Sequence, residues 1–360
     1  MTGLFAACPP PLAPDTLPAM HSSGSVPPLF DLIGVGSPIM DLLAPIPEEF
    51  LAKVAGEKGG MLLVNEDEMQ TIIGMLPSAP AQSTGGSAAN VTFNATRLGL
   101  RTTFLGKLGN DEFAQRYRSQ FENVGVDGSR FKHGERANAR CLAMVTPDAQ
   151  RTMRTDLGAA MTLAPQEVQK ADFIGCRHAH IEGYLAFNRA LADSALAAAR
   201  EAGTTVSLDL SSFEVVGASR DWLFSQFKRG IDIVFANEDE IRALFPSRAE
   251  ATYNDLAKEL GSLGVLAAVK VGADGAWVAH NGALEQIAPV RVPDVLDTNG
   301  AGDAWAAGFL YGYLHGWPLR QCGALASHMG AETVRHMGPI IPPAHWLDVH
   351  TRGLSLAPQR

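Results

Sequence analysis

A carboxylate, Asp303, directly follows a short glycine turn in the stretch DTNGAGDAWAAGFLYGYLHG. Gly300 and Gly302 allow backbone angles and close approaches that other residues forbid, and the apolar run after them predicts a buried helix. The first turn of a helix has unpaired N–H groups and the positive end of the helix dipole, so it can bind an anion such as phosphate. Asp303 would then be a general base beside that anion, although an acid here also simply complements the dipole. Asp297 and Thr298, just before the glycines, could cap the turn or line a cation site.

Composition narrows the class of protein. The chain has 360 residues, of which 46% are hydrophobic, and a formal net charge of -9; its mean hydropathy is +0.02. The length suits one large α/β domain or two smaller ones. The acidic balance excludes a basic nucleic-acid-binding surface, and we find no apolar stretch near the roughly 20 residues that cross a membrane. Four cysteines without metal-type spacing predict reduced thiols in a cytoplasmic protein: Cys8, Cys141, Cys176 and Cys322.

The N-terminal 28 residues differ from the rest of the chain. They are rich in Pro and Ser and are predicted to form a disordered extension. The segment LFAAC, which ends at Cys8, resembles a lipoprotein cleavage box but lacks a basic leader and an adequate apolar core, so we interpret it as chance. Met20 is an alternative start of translation.

From Phe30 onward, short apolar runs alternate with helix-like runs. LIGVG, TVSLDLS, DIVFAN and VLAAVKVG have the composition of strands, and DEFAQRYRSQFENVG and NRALADSALAAAREAG that of helices. This alternation predicts βαβ units and a doubly wound, mostly parallel sheet flanked by helices. Ligands of such sheets bind beyond the carboxyl ends of the strands.

One segment, Ala139–Thr155, breaks the alternation. Its sequence predicts a hairpin with a turn at Pro147 and Asp148. The hairpin would be either a small lid over the site or a peripheral β-arm. Because no internal repeat and no second linker occur, we predict a single domain over residues 29–350 with a hairpin near 139–155.

Five motifs together resemble the PfkB carbohydrate kinase family, the superfamily of ribokinase and adenosine kinase. DTNGAGDAWAAGFL is similar to the second signature of that family, and GGSAANVTFNATRLG to the first. GVGSPIMD resembles the first strand with its substrate-binding Asp, NEDE the N-x-x-E motif, and VKVGADGAWV the strands beside the nucleotide. The likeness covers about residues 30–340. It implies a ribokinase-like fold with a small β lid, and transfer of phosphate from ATP, with Mg²⁺, to a hydroxyl group.

The resemblance also implies roles for individual residues. Asp303 would be the general base, beside an anion hole formed by Gly300, Ala301 and Gly302. The acceptor would be bound by Asp41, Gly85, Gly86, Asn90, Glu182 and Arg154. ATP and Mg²⁺ would be bound by Asn237, Glu240, Lys270, Gly272 and Gly275, and a monovalent cation such as K⁺ by Asp297 and Asn299. The resemblance implies no dedicated metal site made by protein ligands alone.

Other interpretations of these residues stay open at this point. Asp41 could cap the chain after a strand, and Glu182 and Arg154 could be solvated or surface-paired charges. NEDE is also an ordinary start of a helix. His178 and His180 point to the same face of a strand but lack a third ligand, so we predict a structural role for both.

Positions where this sequence differs from the usual family signatures indicate one branch of the family. Ser87 and Ala88 stand where ribokinase-type sequences commonly have Lys and Gly, and GGSAAN, RTMRTDLGAA and IEGYL resemble the adenosine-kinase-like bacterial branch. Trp305 replaces a usual Phe, and Ser327 or His328 lies where many relatives have Asn near the adenine. We predict packing for Cys322.

The resulting hypothesis is phosphorylation of a primary hydroxyl on an adenosine-like ribonucleoside. A free sugar such as ribose, fructose or 2-keto-3-deoxygluconate is the alternative acceptor, and a catalytically silent binding protein is a third interpretation. A Rossmann dehydrogenase would need a third glycine after the first strand, which GVGSPIMD lacks. The expected partner is a small molecule, not a nucleic acid or a membrane, and the expected state is a monomer or a homodimer.

Overall fold

A computed structural model describes residues 28–148 and 150–358 of the chain. The predicted disordered extension, with Cys8 and Met20, therefore lies outside the described residues, apart from Pro28. The described residues form fifteen strands, which are β1 (Phe30–Val35), β2 (Ile39–Pro45), β3 (Met61–Leu63), β4 (Ala81–Gly85), β5 (Thr102–Leu105), β6 (Lys107–Leu108), β7 (Lys132–His133), β8 (Ala139–Val145), β9 (Arg151–Asp156), β10 (Cys176–Glu182), β11 (Thr205–Asp209), β12 (Ile233–Ala236), β13 (Leu266–Lys270), β14 (Ala276–His280) and β15 (Ala283–Ile287).

Eleven α-helices connect these strands within the same described ranges. They are α1 (Glu66–Met75), α2 (Ser87–Leu98), α3 (Glu112–Val124), α4 (Lys170–Phe173), α5 (Arg189–Glu201), α6 (Phe213–Lys228), α7 (Glu238–Leu244), α8 (Tyr253–Gly261), α9 (Ala301–Leu314), α10 (Leu319–Thr333) and α11 (Trp346–Leu356). The predicted helix after RTTFLGKLG ends as expected at Gly125, which is left-handed with φ 99°.

The main sheet has eight strands in the order β15-β14-β13-β12-β11-β10-β1-β5. The six strands from β13 to β5 are parallel, and β14 and β15 are antiparallel at one edge. Successive buried residues point to opposite faces: Val234 packs with one set of helices, and Phe235 packs with the other, which includes α9 and α10. Apolar residues on both faces need a cover of helices on both sides. The predicted doubly wound, mostly parallel sheet is confirmed.

A second sheet of five strands has the order β3-β9-β8-β2-β4. It contacts the turn before α9 through the ion pair of Arg151 with Asp297. The predicted hairpin near 139–155 is present as β8 and β9, which pair antiparallel from Arg140 with Asp156 to Val145 with Arg151. The hairpin is part of a larger sheet, because β2 pairs with β8 on one side of it and β3 pairs with β9 on the other. Sequence alternation did not indicate these partners, since β3 has only three residues and β4 reads AQSTG. A two-stranded sheet, β6-β7, lies apart from both.

One face of the second sheet is packed and the other is open. Met40, Leu42 and Leu142 are fully buried against α1, α2 and α3, whereas Asp41 between them points the other way. Among the helices of the described residues, none has the length and apolar character needed to cross a membrane.

Candidate active site

The polar ends of several parallel strands meet at one edge of the main sheet. β10 ends at Glu182, β11 at Asp209 and β13 at Lys270, and all three side chains are largely buried. The chain order reverses between β1 and β10, since β1 leads to β5 on one side and β10 leads to β11 on the other. Such a reversal opens a crevice at the carboxyl ends of the strands, which is where a ligand is expected.

Asp303 lies in the first turn of α9, which begins after the N-cap Gly300. Gly300 is left-handed with φ 74°, and a Cβ there would lie 2.4 Å from Cβ of Pro339. The glycine requirement predicted from the sequence therefore has a steric cause. The second glycine, Gly302, faces Lys270, whose Nζ would be 3.2 Å from a Cβ at that position. The start of α9 thus carries both a helix dipole and a nearby ammonium group.

Two side chains of α2 hold the carboxylate of Asp303. Oγ of Ser87 donates to Oδ1 at 2.9 Å, and Nδ2 of Asn90 donates to Oδ2 at 2.8 Å. Burial raises the pKa of Asp303 to about 6, even though the hydrogen bonds from Asn90 and Ser87 and the charge of Lys270 act in the opposite direction. A carboxylate with such a pKa is ionised near neutral pH and can accept a proton.

Ser87 was not among the predicted site residues. Its position directly after Gly85 and Gly86, at the start of α2, was the available signal. Asn90 was predicted to contact the acceptor. In the structure its Nδ2 donates a hydrogen bond to Oδ2 of Asp303. Its Oδ1 is buried without a hydrogen-bond partner, so that oxygen remains available to a ligand.

The predicted anion hole is only partly free. The N–H of Ala301 donates to the carbonyl of Thr298 at 3.3 Å, and that of Ala304 to the carbonyl of Gly300 at 2.8 Å. The first bond is long, so the Ala301 N–H could be shared with an anion. The other N–H groups of the first turn have no partner within the helix itself.

Lys270 is the positive charge of this cluster. Its Nζ lies 3.2 Å from Oδ2 of Asp209, an acid that the sequence analysis did not select. Burial opposes the charge on Lys270, but Asp209, Glu240 and Asp303 outweigh it and raise the pKa. For Glu240, burial and Asp209 raise the pKa despite Lys270. The excess of acids over this one ammonium makes the cleft suitable for a further cation.

Asn237 and Glu240 form a capping box at the start of α7. Oε2 of Glu240 accepts from the N–H of Asn237 at 2.8 Å, Oε1 accepts from its Nδ2 at 2.8 Å, and Oδ1 of Asn237 accepts from the N–H of Glu240 at 2.9 Å. The ordinary helix-start interpretation of NEDE is therefore correct. The predicted contact with Mg²⁺ stays a prediction.

Asp41 lies on the open face of β2, not at the end of the first strand as the motif GVGSPIMD suggested. β1 ends at Val35, and the chain enters the second sheet before it reaches Asp41. The carboxylate packs against Gly85 of the neighbouring β4: a Cβ at Gly85 would lie 2.4 Å from Cγ of Asp41. Burial raises the pKa of Asp41 to about 7, the charge of Arg151 lowers it, and Asp303 raises it. Asp41 of the second sheet and Asp303 of α9 are therefore close enough for their charges to interact.

The arginine that faces the site is Arg151, not the predicted Arg154. Thr155 pairs with Cys141, which pairs with Asp41, so odd-numbered residues of β9 share the open face. Arg154 has the opposite parity; it is 1% exposed and donates to the carbonyls of Ala55, Gly60 and Met153. Its guanidinium holds the chain before β3, and the predicted contact with substrate or phosphate is wrong for this structure.

Glu182 was predicted to bind the acceptor or to be a surface charge. It is 2% exposed, so the surface interpretation is wrong. Oε1 accepts from the N–H of Ser37 at 2.9 Å, and Oε2 accepts from the N–H of Ala88 at 3.3 Å. Burial raises the pKa of Glu182 to about 7 against these two hydrogen bonds. Both oxygens are therefore used to join the end of β1 to the start of α2.

The remaining predicted glycines lie in turns. Gly86 is the N-cap of α2 with φ 98°, and a Cβ there would lie 2.2 Å from the carbonyl oxygen of Ser37. Gly272 (φ 48°) and Gly275 (φ 94°) form the turn from β13 to β14, where the N–H of Val271 donates to the carbonyl of Gly275 at 2.8 Å. Each has a conformational reason to be glycine; their contacts with nucleotide stay predictions.

Asp297 ties the turn before α9 to two other segments. Oδ1 accepts from the N–H of Asn299 at 3.0 Å, Oδ2 accepts from the N–H of Gly338 at 2.7 Å, and Oδ2 also pairs with Arg151. Side-chain capping of the turn is therefore observed. A monovalent cation at Asp297 and Asn299 stays a prediction.

The predicted structural role of the two histidines agrees with their contacts. His178 contacts the hydroxyls of Thr205 and Ser207 at 2.7 and 2.9 Å, and His180 contacts Ser207 at 2.9 Å. Burial lowers the pKa values of His178 and His180 to about 3 and about 4. Cys322 is fully buried among apolar side chains, as its predicted packing role requires.

Comparison with known proteins shows the family. The family model described as pfkB family carbohydrate kinase matches residues 61–346, and the chain therefore belongs to this family. An ATP-dependent ribose-1-phosphate kinase of Halopiger xanaduensis is 30% identical over 71% of this chain and 82% of its own length. Adenosine kinase of Saccharomyces cerevisiae is 25% identical over 86% and 96%. The crystal structure of adenosine kinase from Sinorhizobium meliloti is 28% identical, covers 91% of this chain and 99% of its own, and superposes with a TM-score of 0.79.

These findings confirm the predicted class. The protein is a PfkB-family kinase of the adenosine-kinase-like kind, with the ribokinase-like fold and with phosphotransferase activity toward a small sugar or nucleoside. Kinases of this family use ATP, usually with Mg²⁺.

Proposed function

We propose that this kinase transfers the γ-phosphoryl group of ATP to a primary hydroxyl of an adenosine-like ribonucleoside, with Asp303 as general base. The observation that carries the proposal is the position of Asp303: it lies in the first turn of α9, beside Lys270, and is fixed by Ser87 and Asn90. A base, a set of helix N–H groups and a buried ammonium at one point are the requirements of phosphoryl transfer to an alcohol.

In this proposal Asp303 orients the acceptor hydroxyl and takes its proton as the new O–P bond forms. Ser87 and Asn90 keep the carboxylate in place and hold its pKa below the value that burial alone would give it. Gly300, Ala301, Gly302 and Lys270 would stabilise negative charge on the transferred group. MgATP supplies the electrophilic phosphoryl group when it is bound.

The residues present fit a magnesium ion held through water. Asp209 and Glu240 are buried acids beside the single ammonium of Lys270, so the cluster gains from an added positive charge. Glu240 and Asn237 hydrogen-bond each other, and Mg²⁺ usually retains several waters, which matches a contact through the hydration shell. We further propose that Asp297 and Asn299 contribute to a site for K⁺, and that Gly272 and Gly275 lie beside the nucleotide.

The acceptor would be bound between the two sheets. Asp41 can accept hydrogen bonds from two hydroxyls, and the free Oδ1 of Asn90 can accept another. Gly85 and Gly86 would allow the second sheet to move over the acceptor. The near full-length match to two adenosine kinases favours a nucleoside, and the match to a ribose-1-phosphate kinase favours a sugar as the second candidate. We place these functions in one cytoplasmic domain, residues 29–350, acting as a monomer or a homodimer.

The test is an assay of ADP release with ATP and Mg²⁺ against a panel of nucleosides and free sugars. Asp303→Asn should lower kcat roughly 100- to 10,000-fold, the usual contribution of a general base, with little change in acceptor binding. The control is Asp221→Asn, which changes an exposed acid on α6. Turnover on free sugars alone would show that the acceptor is a sugar and not a nucleoside. Near-normal turnover of Asp303→Asn would show that Asp303 is not the general base.

A further inference from the structure

A second polar cluster lies where α10 ends and α11 begins, and the proposed reaction does not use it. Oε1 of Glu332 is 3.0 Å from Nε2 of His336 and 3.4 Å from Nδ1 of His345. One ligand atom from each of the three residues lies within 4.8 Å of the others. The two imidazole rings have centroids 4.3 Å apart.

The local backbone brings these side chains together. Glu332 is in the last turn of α10. His336 follows four residues later in a turn, and its own N–H donates to the carbonyl of Thr333. The chain then folds back, and His345 ends a 3₁₀ turn immediately before α11. The cluster therefore joins the two ends of the segment 336–345.

The charges of the cluster are incompletely balanced. Glu332 is 4% exposed, and the guanidinium of Arg335 stays 3.8 Å from its Oε2 and is itself partly exposed. A buried carboxylate is stabilised by a cation in direct contact. A metal ion in contact with this carboxylate and with both imidazoles would supply that charge.

We propose that Glu332, His336 and His345 bind one divalent metal ion of the borderline class, with Zn²⁺ as the probe. Zinc accepts imidazole nitrogen and carboxylate oxygen at about 2.0–2.2 Å in a tetrahedron, so its ligand atoms lie about 3.4 Å apart. The two histidine nitrogens lie 3.0 and 3.4 Å from Oε1 of Glu332, close to that separation, and the three ligand atoms lie within 4.8 Å of one another. Three protein ligands leave a fourth position for water. The family resemblance had implied no dedicated metal site made by protein ligands alone, so this proposal departs from that expectation.

The position of this site gives it a route to the proposed reaction. The segment 336–345 contains Gly338, whose N–H donates to Asp297, and Pro339, which packs beneath Gly300. A metal that links both ends of the segment would stiffen the support of the turn before α9. This consequence rests on the proposed function; the binding of metal does not.

The experiment is calorimetric titration of the full-length, chelator-treated protein with Zn²⁺. His345→Gln is the main variant, because its side chain is half exposed and its loss should leave the fold intact; circular dichroism checks this. His315→Gln is the matched control, since it removes an exposed histidine outside the cluster. Wild type and His315→Gln should bind one Zn²⁺ per chain, and His345→Gln should bind it at least ten times more weakly.

Equal affinity in wild type and His345→Gln, or no binding by the wild type, would overturn the proposal. Thermal unfolding gives a second measurement. Zn²⁺ should raise the melting temperature of the wild type and of His315→Gln but not that of His345→Gln, because only a ligand of the folded state stabilises it. Neither measurement depends on kinase activity.

Discussion

Arg151 of the second sheet forms an ion pair with Asp297 of the turn before α9, 146 residues further along the chain. This ion pair joins the open face of the second sheet to the glycine turn before α9. Arg151 also lowers the pKa of the neighbouring Asp41. The same guanidinium therefore connects the layers and adjusts the acid proposed to bind the acceptor.

Arg151→Gln should weaken acceptor binding and shift its pH dependence. Without the positive charge, the pKa of Asp41 rises above about 7, so Asp41 becomes protonated at a higher pH and loses acceptor strength for hydroxyl hydrogen bonds. The acid limb of kcat/KM for the acceptor should move to higher pH. Arg136→Gln, which changes an exposed arginine just before β8, should leave the profile in place; equal profiles for wild type and Arg151→Gln would contradict the role.

Ser87→Ala tests the support of Asp303. The hydroxyl of Ser87 lowers the pKa of Asp303, so its removal raises that pKa above about 6. Because Asp303 must be ionised to accept a proton, kcat should begin to fall at a higher pH as the pH is lowered. The measurement is the pH profile of kcat at saturating substrates. Ser119→Ala, on the exposed face of α3, is the control, and an unshifted profile would assign Ser87 a purely structural role.

Gly85→Ala should displace Asp41. A Cβ at Gly85 would lie 2.4 Å from Cγ of Asp41, which is closer than atoms can pack, so the carboxylate must move. We expect a higher KM for the acceptor, with KM for ATP nearly unchanged. The control is Gly217→Ala in α6, where a Cβ would meet nothing within 4 Å. An unchanged acceptor KM in a folded Gly85→Ala variant would show that Asp41 does not bind the acceptor.

Asp41→Asn should stabilise the ligand-free protein at alkaline pH. The pKa of Asp41 is raised in the fold from 3.8 to about 7, so the native state binds an extra proton between these values. The stability that this proton contributes is present at low pH and is lost as the pH rises through about 7. The melting temperature of Asp41→Asn relative to wild type should therefore increase from about pH 5 to about pH 8. A melting-temperature difference that does not change with pH would show that burial does not raise the pKa of Asp41.

The sequence predicted those parts of the site that depend on local chemistry. The glycine turn and Asp303 were found because a tight turn, a helix start and an acid occupy consecutive positions. The main sheet was predicted for a similar reason, since strands buried on both faces are continuous apolar runs. β2, β3 and β4 were not predicted, because an open, short or polar strand lacks that pattern.

Contacts across the chain could not be derived in the same way. Arg154 was selected in place of Arg151 because the face of a strand depends on register, and a shift of one residue exchanges the buried and open sides. Asp209 was missed because its importance comes from the proximity of Lys270, 61 residues later. Glu182 was assigned to the surface or the acceptor because its two backbone donors come from β1 and α2 segments far away in sequence.

In the proposed function, acceptor selectivity and proton transfer would depend on different elements of the fold. Asp41 belongs to the second sheet, whereas Asp303 lies on α9 and both of its hydrogen-bond donors lie on α2. Under that proposal, substitutions at odd-numbered positions of β2 and β9 would reshape the surface that meets an acceptor without replacing Asp303 or its hydrogen-bond donors. If the proposed function holds, a few replacements on the open faces of β2 and β9 would then be enough to change which alcohol is accepted.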